Sequence, residues 1–127
     1  MKSNESAENY LETILILSNK NPAVRSVDIA EELDFKKSSV SVAMKHLREK
    51  HHITVDSNGH IHLTDSGRKI AEMIYERHQL LSKWLMYLGV SEKTAVDDAC
   101  RMEHVISAES FEALKSHIEG KRKGTEN

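Results

Sequence analysis

Apolar residues recur along the chain in two rhythms, and the change between them marks its elements. Leu11, Ile14, Leu15, Ile16 and Leu17 form a stripe that predicts a helix from about Ser6 to Asn19. Asn21-Pro22 ends it, because proline restricts the residue before it and cannot continue the hydrogen-bond ladder. Ser26 is placed to cap a second helix, with Asp28 in its first turn and Ile29, Ala30 and Leu33 facing inward. Asp34-Phe35 closes it, and a third helix is predicted from about Lys37 to Lys50, with Val40, Ala43, Met44 and Leu47 inward. The rhythm then shortens to two. Ile53-Thr54-Val55 and Ile61-His62-Leu63 alternate apolar and polar around Asp56-Ser57-Asn58-Gly59, and an Asn-Gly turn between alternating runs predicts a hairpin. Helical spacing returns at Thr64 and runs to about Leu88 through Ile70, Met73, Ile74, Leu81, Leu85 and Leu88, with Gly89 as the stop. Ser91 and Ser107 are placed to cap two further helices, the last marked by Phe111, Leu114 and Ile118. From Gly120 the tail is charged and expected to fray.

A short helix, a tight turn, a longer helix and a hairpin make a winged helix-turn-helix. The fold class expected is therefore mainly α with a small β-hairpin wing, the winged helix-turn-helix being followed by a helical lobe. The boundary is placed between a DNA-binding domain at 1–66 and a helical domain at 67–127. A length of 127 residues, 39% apolar, suits one medium domain or two small helical lobes. No apolar run approaches the roughly 20 residues of a membrane span. Met1 to Tyr10 lacks the basic and apolar regions of a secretion signal. The chain's lone cysteine cannot close an internal disulfide. A cytoplasmic protein with no membrane partner is expected.

Charge refines the picture for the third helix. The whole chain carries a formal charge of -2, yet five basic residues (Lys36, Lys37, Lys45, Arg48 and Lys50) fall with one acid, Glu49, between positions 36 and 50. The outward face of that helix carries Lys37, Ser38, Ser41, Val42 and Lys45, and Lys36 and Ser39 adjoin it. Lysines and small hydroxyls suit close approach to phosphates and base edges. A basic helix alone is commonly a solvated face; the wing that follows favours double-stranded DNA as its partner. His46, His51, His52, His60 and His62 lie at a helix end and in the hairpin, with no acidic or thiol company expected, and read as surface or phosphate-facing groups.

The candidate chemistry sits in Asp97-Asp98-Ala99-Cys100-Arg101-Met102-Glu103-His104. Glu103 and His104 follow Cys100 by three and four residues, which on a helix places all three on one face. A thiolate, a carboxylate and an imidazole there would form half of a transition-metal site. Spacing alone leaves open a small buried hydrophobe at Cys100 with Glu103 and His104 on a solvated edge. His78, on the apolar stripe of the long helix, reads equally as a core histidine or as a ligand. Asn9 and Glu12 share one side of the first helix, where an acid is usually solvated. Trp84, Tyr87 and Phe111 read as core or subunit interface rather than as a cofactor box.

Several of these stretches together resemble the diphtheria-toxin-repressor family of iron- and manganese-dependent regulators, in its short, manganese-regulator-like architecture. The resemblance covers roughly Ala7 to His117. It rests on Glu8-Asn9-Tyr10-Leu11-Glu12-Thr13-Ile14, Val27-Asp28-Ile29-Ala30-Glu31-Glu32-Leu33, Ser38-Ser39-Val40-Ser41 and Leu63-Thr64-Asp65-Ser66-Gly67. Its more specific parts are Glu76-Arg77-His78 and Cys100-Arg101-Met102-Glu103-His104. It implies a winged helix joined to a helical, metal-binding dimerisation lobe. It also implies metal ligation by His78, Cys100, Glu103 and His104, with Glu12 from the first helix and Asn9 at a position where the family has methionine or aspartate. Cys100 matches the iron branch's cysteine, where the manganese branch has glutamate, so the chain is a hybrid of the two. Ser82 and Val96 fall where the iron branch has ancillary ligands, so a second site of that kind is expected to be lost. The additional carboxy-terminal domain of the iron branch is expected to be absent.

The function these readings lead to is a homodimeric, metal-dependent transcriptional repressor that binds an operator and controls metal homeostasis. Thiolate ligation favours Fe2+, with Mn2+ second, while Zn2+, Co2+ or Ni2+ can bind in vitro. The alternative is a winged-helix regulator that does not respond to metal. A metalloenzyme using Glu103 as a base is the third reading; no nucleophile constellation or phosphate loop supports it.

Overall fold

The computed structural model describes the backbone of residues 2–126 and the side chains of residues 5–120. It holds α1 (Lys2–Lys20), α2 (Ser26–Leu33), α3 (Lys37–Glu49), β1 (Ile53–Val55), β2 (Ile61–Leu63), α4 (Asp65–Tyr87), α5 (Glu92–Val105) and α6 (Ala108–Glu126). Two compact units divide it, Met1–Ile74 and Tyr75–Asn127. The division falls inside α4 rather than before it.

In the first unit, Leu11, Ile14, Val24, Ile29, Val40 and Ile53 are fully buried. Each such side chain contributes about 1.5–3 kcal/mol of apolar burial. The α2 cap differs from the expected one: Arg25 is the cap residue, and its N–H donates to Asp28 Oδ2 at 2.9 Å. Ser26 begins the helix instead, one residue inside the cap whose N–H the Asp28 carboxylate accepts. Between α2 and α3, Asp34 adopts a left-handed conformation (φ 56°) and the Phe35 N–H donates to Ala30 O at 3.0 Å, turning the chain sharply. Asp is one of the few residues that tolerates this backbone region.

The hairpin pairs β1 and β2 antiparallel, with Thr54 opposite His62. Its tip is built on Asp56, whose Oδ1 accepts the N–H groups of Asn58 (2.9 Å) and His60 (3.0 Å). Gly59 takes a positive φ of 81°, which glycine adopts at little cost. The wing is anchored to the segment before α2 by the Ile61 N–H, which donates to Val24 O at 2.8 Å. The hairpin histidines do have an acidic partner, contrary to expectation. Asp56 Oδ2 lies 3.2 Å from His62 Nε2 and 3.7 Å from His60 Nδ1. The cause is the register, which closes the strands at Asp56 and brings both rings over it.

The first turns of α4 belong to the first unit for a packing reason. Thr64 Oγ1 donates to His51 O at 2.7 Å and accepts the Gly67 N–H at 3.2 Å. Gly67 is pressed against the His52 carbonyl, and Ala71 is fully buried in the same core. Farther along α4, Ile74 and Leu81 are buried as expected, but Met73 and Leu88 are exposed. The inward line runs Gly67, Ala71, Ile74, so Met73 is turned off it, and Leu88 lies beyond the helix end. Gly89 (φ 102°) closes α4, and the Val90 N–H donates to Leu85 O at 3.0 Å.

In the second unit Leu81, Ala95, Ala99, Phe111 and Ile118 are buried. Lys115 Nζ lies 2.7 Å from Glu76 Oε2, tying α6 to α4. The Ser107 hydroxyl accepts the Ser110 N–H at 3.0 Å, the cap expected of it. Helix α6 does not end at Gly120 but continues to Glu126. Strong helix formers on both sides of that glycine, from Glu119 to Lys123, favour continuation. Among the described residues no helix is long and apolar enough to cross a membrane.

Candidate metal centre and nucleic-acid face

The second unit brings together two of the three α5 groups, Cys100 and Glu103, with His78 of α4. His78 from α4 and Cys100 and Glu103 from α5 offer an imidazole nitrogen, a thiol sulfur and a carboxylate oxygen, all within 4.8 Å of one another. Glu103 is 1% exposed, an expensive position for a carboxylate without partners. Its Oε2 lies 2.9 Å from His78 Nδ1 and its Oε1 lies 3.4 Å from His104 Nε2, so two imidazoles face one carboxylate. Cys100 Sγ is 3.9 Å from the same His78 Nδ1, and the cysteine reaches solvent. His104 is nearly buried, its side chain 5% exposed.

This donor set fits a divalent transition metal. Ligand bonds of 2.0–2.3 Å in a tetrahedral or larger shell place neighbouring donors about 3–4 Å apart. The pair spacings, 2.9 Å for His78–Glu103, 3.4 Å for Glu103–His104 and 3.9 Å for Cys100–His78, are close to that range. The mixture of nitrogen, sulfur and oxygen is the borderline-soft set that first-row metals take.

Sequence reasoning did not single out Arg77. It is 7% exposed and its Nη1 donates to the main-chain oxygens of Glu103 (3.1 Å) and Ile106 (2.9 Å). Its guanidinium carbon lies 5.4 Å from the Phe111 ring centroid. The available signal was position: Arg77 follows Ile74 by three and precedes Leu81 by four, on the apolar line itself.

In the first unit, Glu12 is 7% exposed on α1, unlike the usual solvated acid of a surface helix. Asn9 is half-buried one turn earlier, and its carbonyl accepts the Thr13 hydroxyl at 2.8 Å. Helix α3 packs Val40, Met44 and Leu47 inward. It leaves Lys37, Ser38, Ser39, Ser41, Val42 and Lys45 exposed on the other side, with Lys36 exposed at its cap. Val42 is 55% exposed, an apolar side chain offered to solvent in the middle of a basic helix. Such a methyl surface suits contact with a thymine methyl or a groove wall.

Known protein families match both halves of the chain. Residues 2–61 match the model of the iron dependent repressor N-terminal DNA binding domain, and residues 64–123 match that of the iron dependent repressor metal binding and dimerisation domain. An uncharacterized HTH-type transcriptional regulator of Methanocaldococcus jannaschii is 33% identical over 117 residues, 91% of this chain and 94% of the relative. The HTH-type transcriptional regulator MntR of Geobacillus kaustophilus is 33% identical over 109 residues, 86% of this chain and 77% of that protein. The structure of the manganese regulator SloR superposes with a TM-score of 0.79 at 26% identity, covering 89% of this chain. This chain spans about half, 53%, of the SloR chain. The fold is thus that of the winged-helix metal-dependent repressors, and the chain belongs to the iron dependent repressor family of transcriptional regulators.

Proposed function

We propose that this chain is a cytoplasmic, divalent-metal-activated repressor that binds operator DNA as a homodimer. The observation that carries the reading is the convergence of His78, Cys100 and Glu103 within 4.8 Å. His104 adjoins the trio through Glu103, and we take it as the fourth ligand from this unit. Glu12 and Asn9 are proposed as the donors from α1, on the strength of the family resemblance and of Glu12's burial.

A bound divalent cation would supply a charge that these donors share. The chain's own residues do the rest. Cys100 narrows the choice of metal, since a thiolate favours Fe2+, Co2+, Ni2+ or Zn2+ over Mn2+. We favour Fe2+ in the cell and Mn2+ second, with Zn2+ able to compete in vitro through its general affinity. Glu12 belongs to the unit that carries α3, so ligation by it would bias how that unit is held. Lys36, Lys37 and Lys45 supply salt-dependent attraction to phosphates, while Ser38, Ser39, Ser41 and Val42 are the candidates for contact with phosphate or base edges. Tyr87 and Val105, each 75% exposed, and Leu88 present apolar surface in the second unit and are proposed to meet a second copy of the chain. A dimer sets two recognition helices about 34 Å apart, or a multiple of that, along the DNA.

The test is operator binding by Cys100→Ala and His104→Ala proteins with and without added metal. Both are expected to lose the metal-stimulated part of binding and to keep the salt-dependent remainder. Full metal stimulation in both variants would remove the site assignment.

A further inference from the structure

We propose that Arg77 is a positioning residue for the donor cluster, setting its geometry and its metal affinity by gripping Glu103 through the main chain. The inference rests on the metal-site reading above. Neighbouring residues on a helix point about 100° apart and usually serve different surroundings. Here Arg77 and His78 of α4 both reach the same residue. Arg77 Nη1 donates to the Glu103 carbonyl oxygen at 3.1 Å, and His78 Nδ1 lies 2.9 Å from the Glu103 carboxylate.

The Glu103 carbonyl lies in the last turn of α5, among those that have no donor within the helix. Arg77 supplies that donor and also binds Ile106 O at 2.9 Å, just past the helix end. Cation and carbonyls also complement the negative end of the α5 dipole. A fraying last turn would release Glu103 and His104 together; the guanidinium holds it shut.

The arrangement is costly by the standards of a core. The side chain is 7% exposed, it is packed against Phe111, and among the described residues its Nε is buried with no hydrogen-bond partner. Replacing it by an apolar side chain of similar size would fill the same space but leave the Glu103 and Ile106 carbonyls without this donor. Packing alone therefore gives no reason for a guanidinium here. What a methionine could not do is donate to both carbonyls, as the Arg77 Nη1 group does.

The test uses the full chain, kept anaerobic, with Co2+ as the probe. Wild type, Arg77→Met, Arg77→Lys and Cys100→Ser are compared for Co2+ affinity, the thiolate-to-cobalt absorption band and the melting temperature without metal. Arg77→Met is expected to stay folded with a lowered melting temperature, to bind Co2+ about 10–100-fold more weakly and to show a shifted or weakened band, the scale usual for residues that orient metal ligands. Arg77→Lys, one bond shorter but still a donor, is expected to fall between. Wild-type affinity and band in folded Arg77→Met would overturn the proposal. If Arg77→Met does not fold, Arg77→Lys decides on the same terms, and failure of both to fold would assign Arg77 to folding and overturn the proposal too. A wild-type protein with no thiolate band, indistinguishable from Cys100→Ser, would instead remove the metal-site reading itself.

Discussion

Glu103 concentrates the chemistry of the second unit in one side chain. Its carboxylate is almost wholly shielded from water and is faced by His78 and His104. Glu103→Gln keeps its shape and a weaker acceptor. The substitution is expected to abolish tight metal binding while lowering the unfolding free energy of the metal-free protein by about 1–3 kcal/mol; calorimetric titration and urea unfolding measure the two. Asp56 gives a pH prediction at the other end of the chain. Its carboxyl is held below the ordinary carboxylate range, first by the His60 N–H, then by the His62 side chain, with a smaller part from the Asn58 N–H. A lowered folded-state pKa means that its contribution is complete above the ordinary carboxylate value and is lost as pH falls through the folded one. Asp56→Asn should therefore melt lower than wild type at neutral pH, and the gap should close at strongly acid pH; a gap independent of pH would contradict the assignment. These two residues also show what one chain could reveal. The spacing of Cys100 and Glu103 on α5 agrees with their meeting in one cluster with His78. Asp56's partners follow from strand register, and Arg77's from where a helix ends, and neither is carried by local spacing.

At the scale of elements, the start of α4 and the exposed face of α3 carry the most specific expectations. A Cβ at Gly67 would overlap the His52 carbonyl oxygen, which is backbone and cannot swing aside. Gly67→Ala is expected to cost about 1–3 kcal/mol by overpacking, read as a lower urea midpoint, although alanine is the better helix former. An unchanged or raised midpoint would mean that the helix start is not pressed on the wing. Lys37→Ala and Lys45→Ala should each reduce the salt slope of DNA binding by about 1 and weaken all sequences alike, whereas Val42→Ala should change sequence preference with the slope kept. All eight elements were legible from hydrophobic period and punctuation, since Pro22, Asn58-Gly59 and Gly89 interrupt it where the chain turns. The phase of the α4 stripe was less so. Met73 and Ile74 both fit a helical period; the packing of Gly67 and Ala71 against the wing selects Ile74 as the inward one.

For the molecule as a whole, the proposed function requires that metal bound by the second unit change the DNA affinity of the first. The family domains assign metal binding and dimerisation to residues 64–123 and DNA binding to residues 2–61. Coupling between two such sites is typically about 1–3 kcal/mol, a change of roughly 5–150-fold in DNA affinity. The most direct measurement is operator affinity across an anaerobic metal panel of Fe2+, Mn2+, Co2+ and Zn2+, with bound metal quantified in the same samples. Metal is expected to bind stoichiometrically through Cys100 and to strengthen operator binding within that range, with Fe2+ acting at lower free concentration than Mn2+. Operator binding that is equally tight in metal-free protein and with every metal of the panel would contradict that expectation.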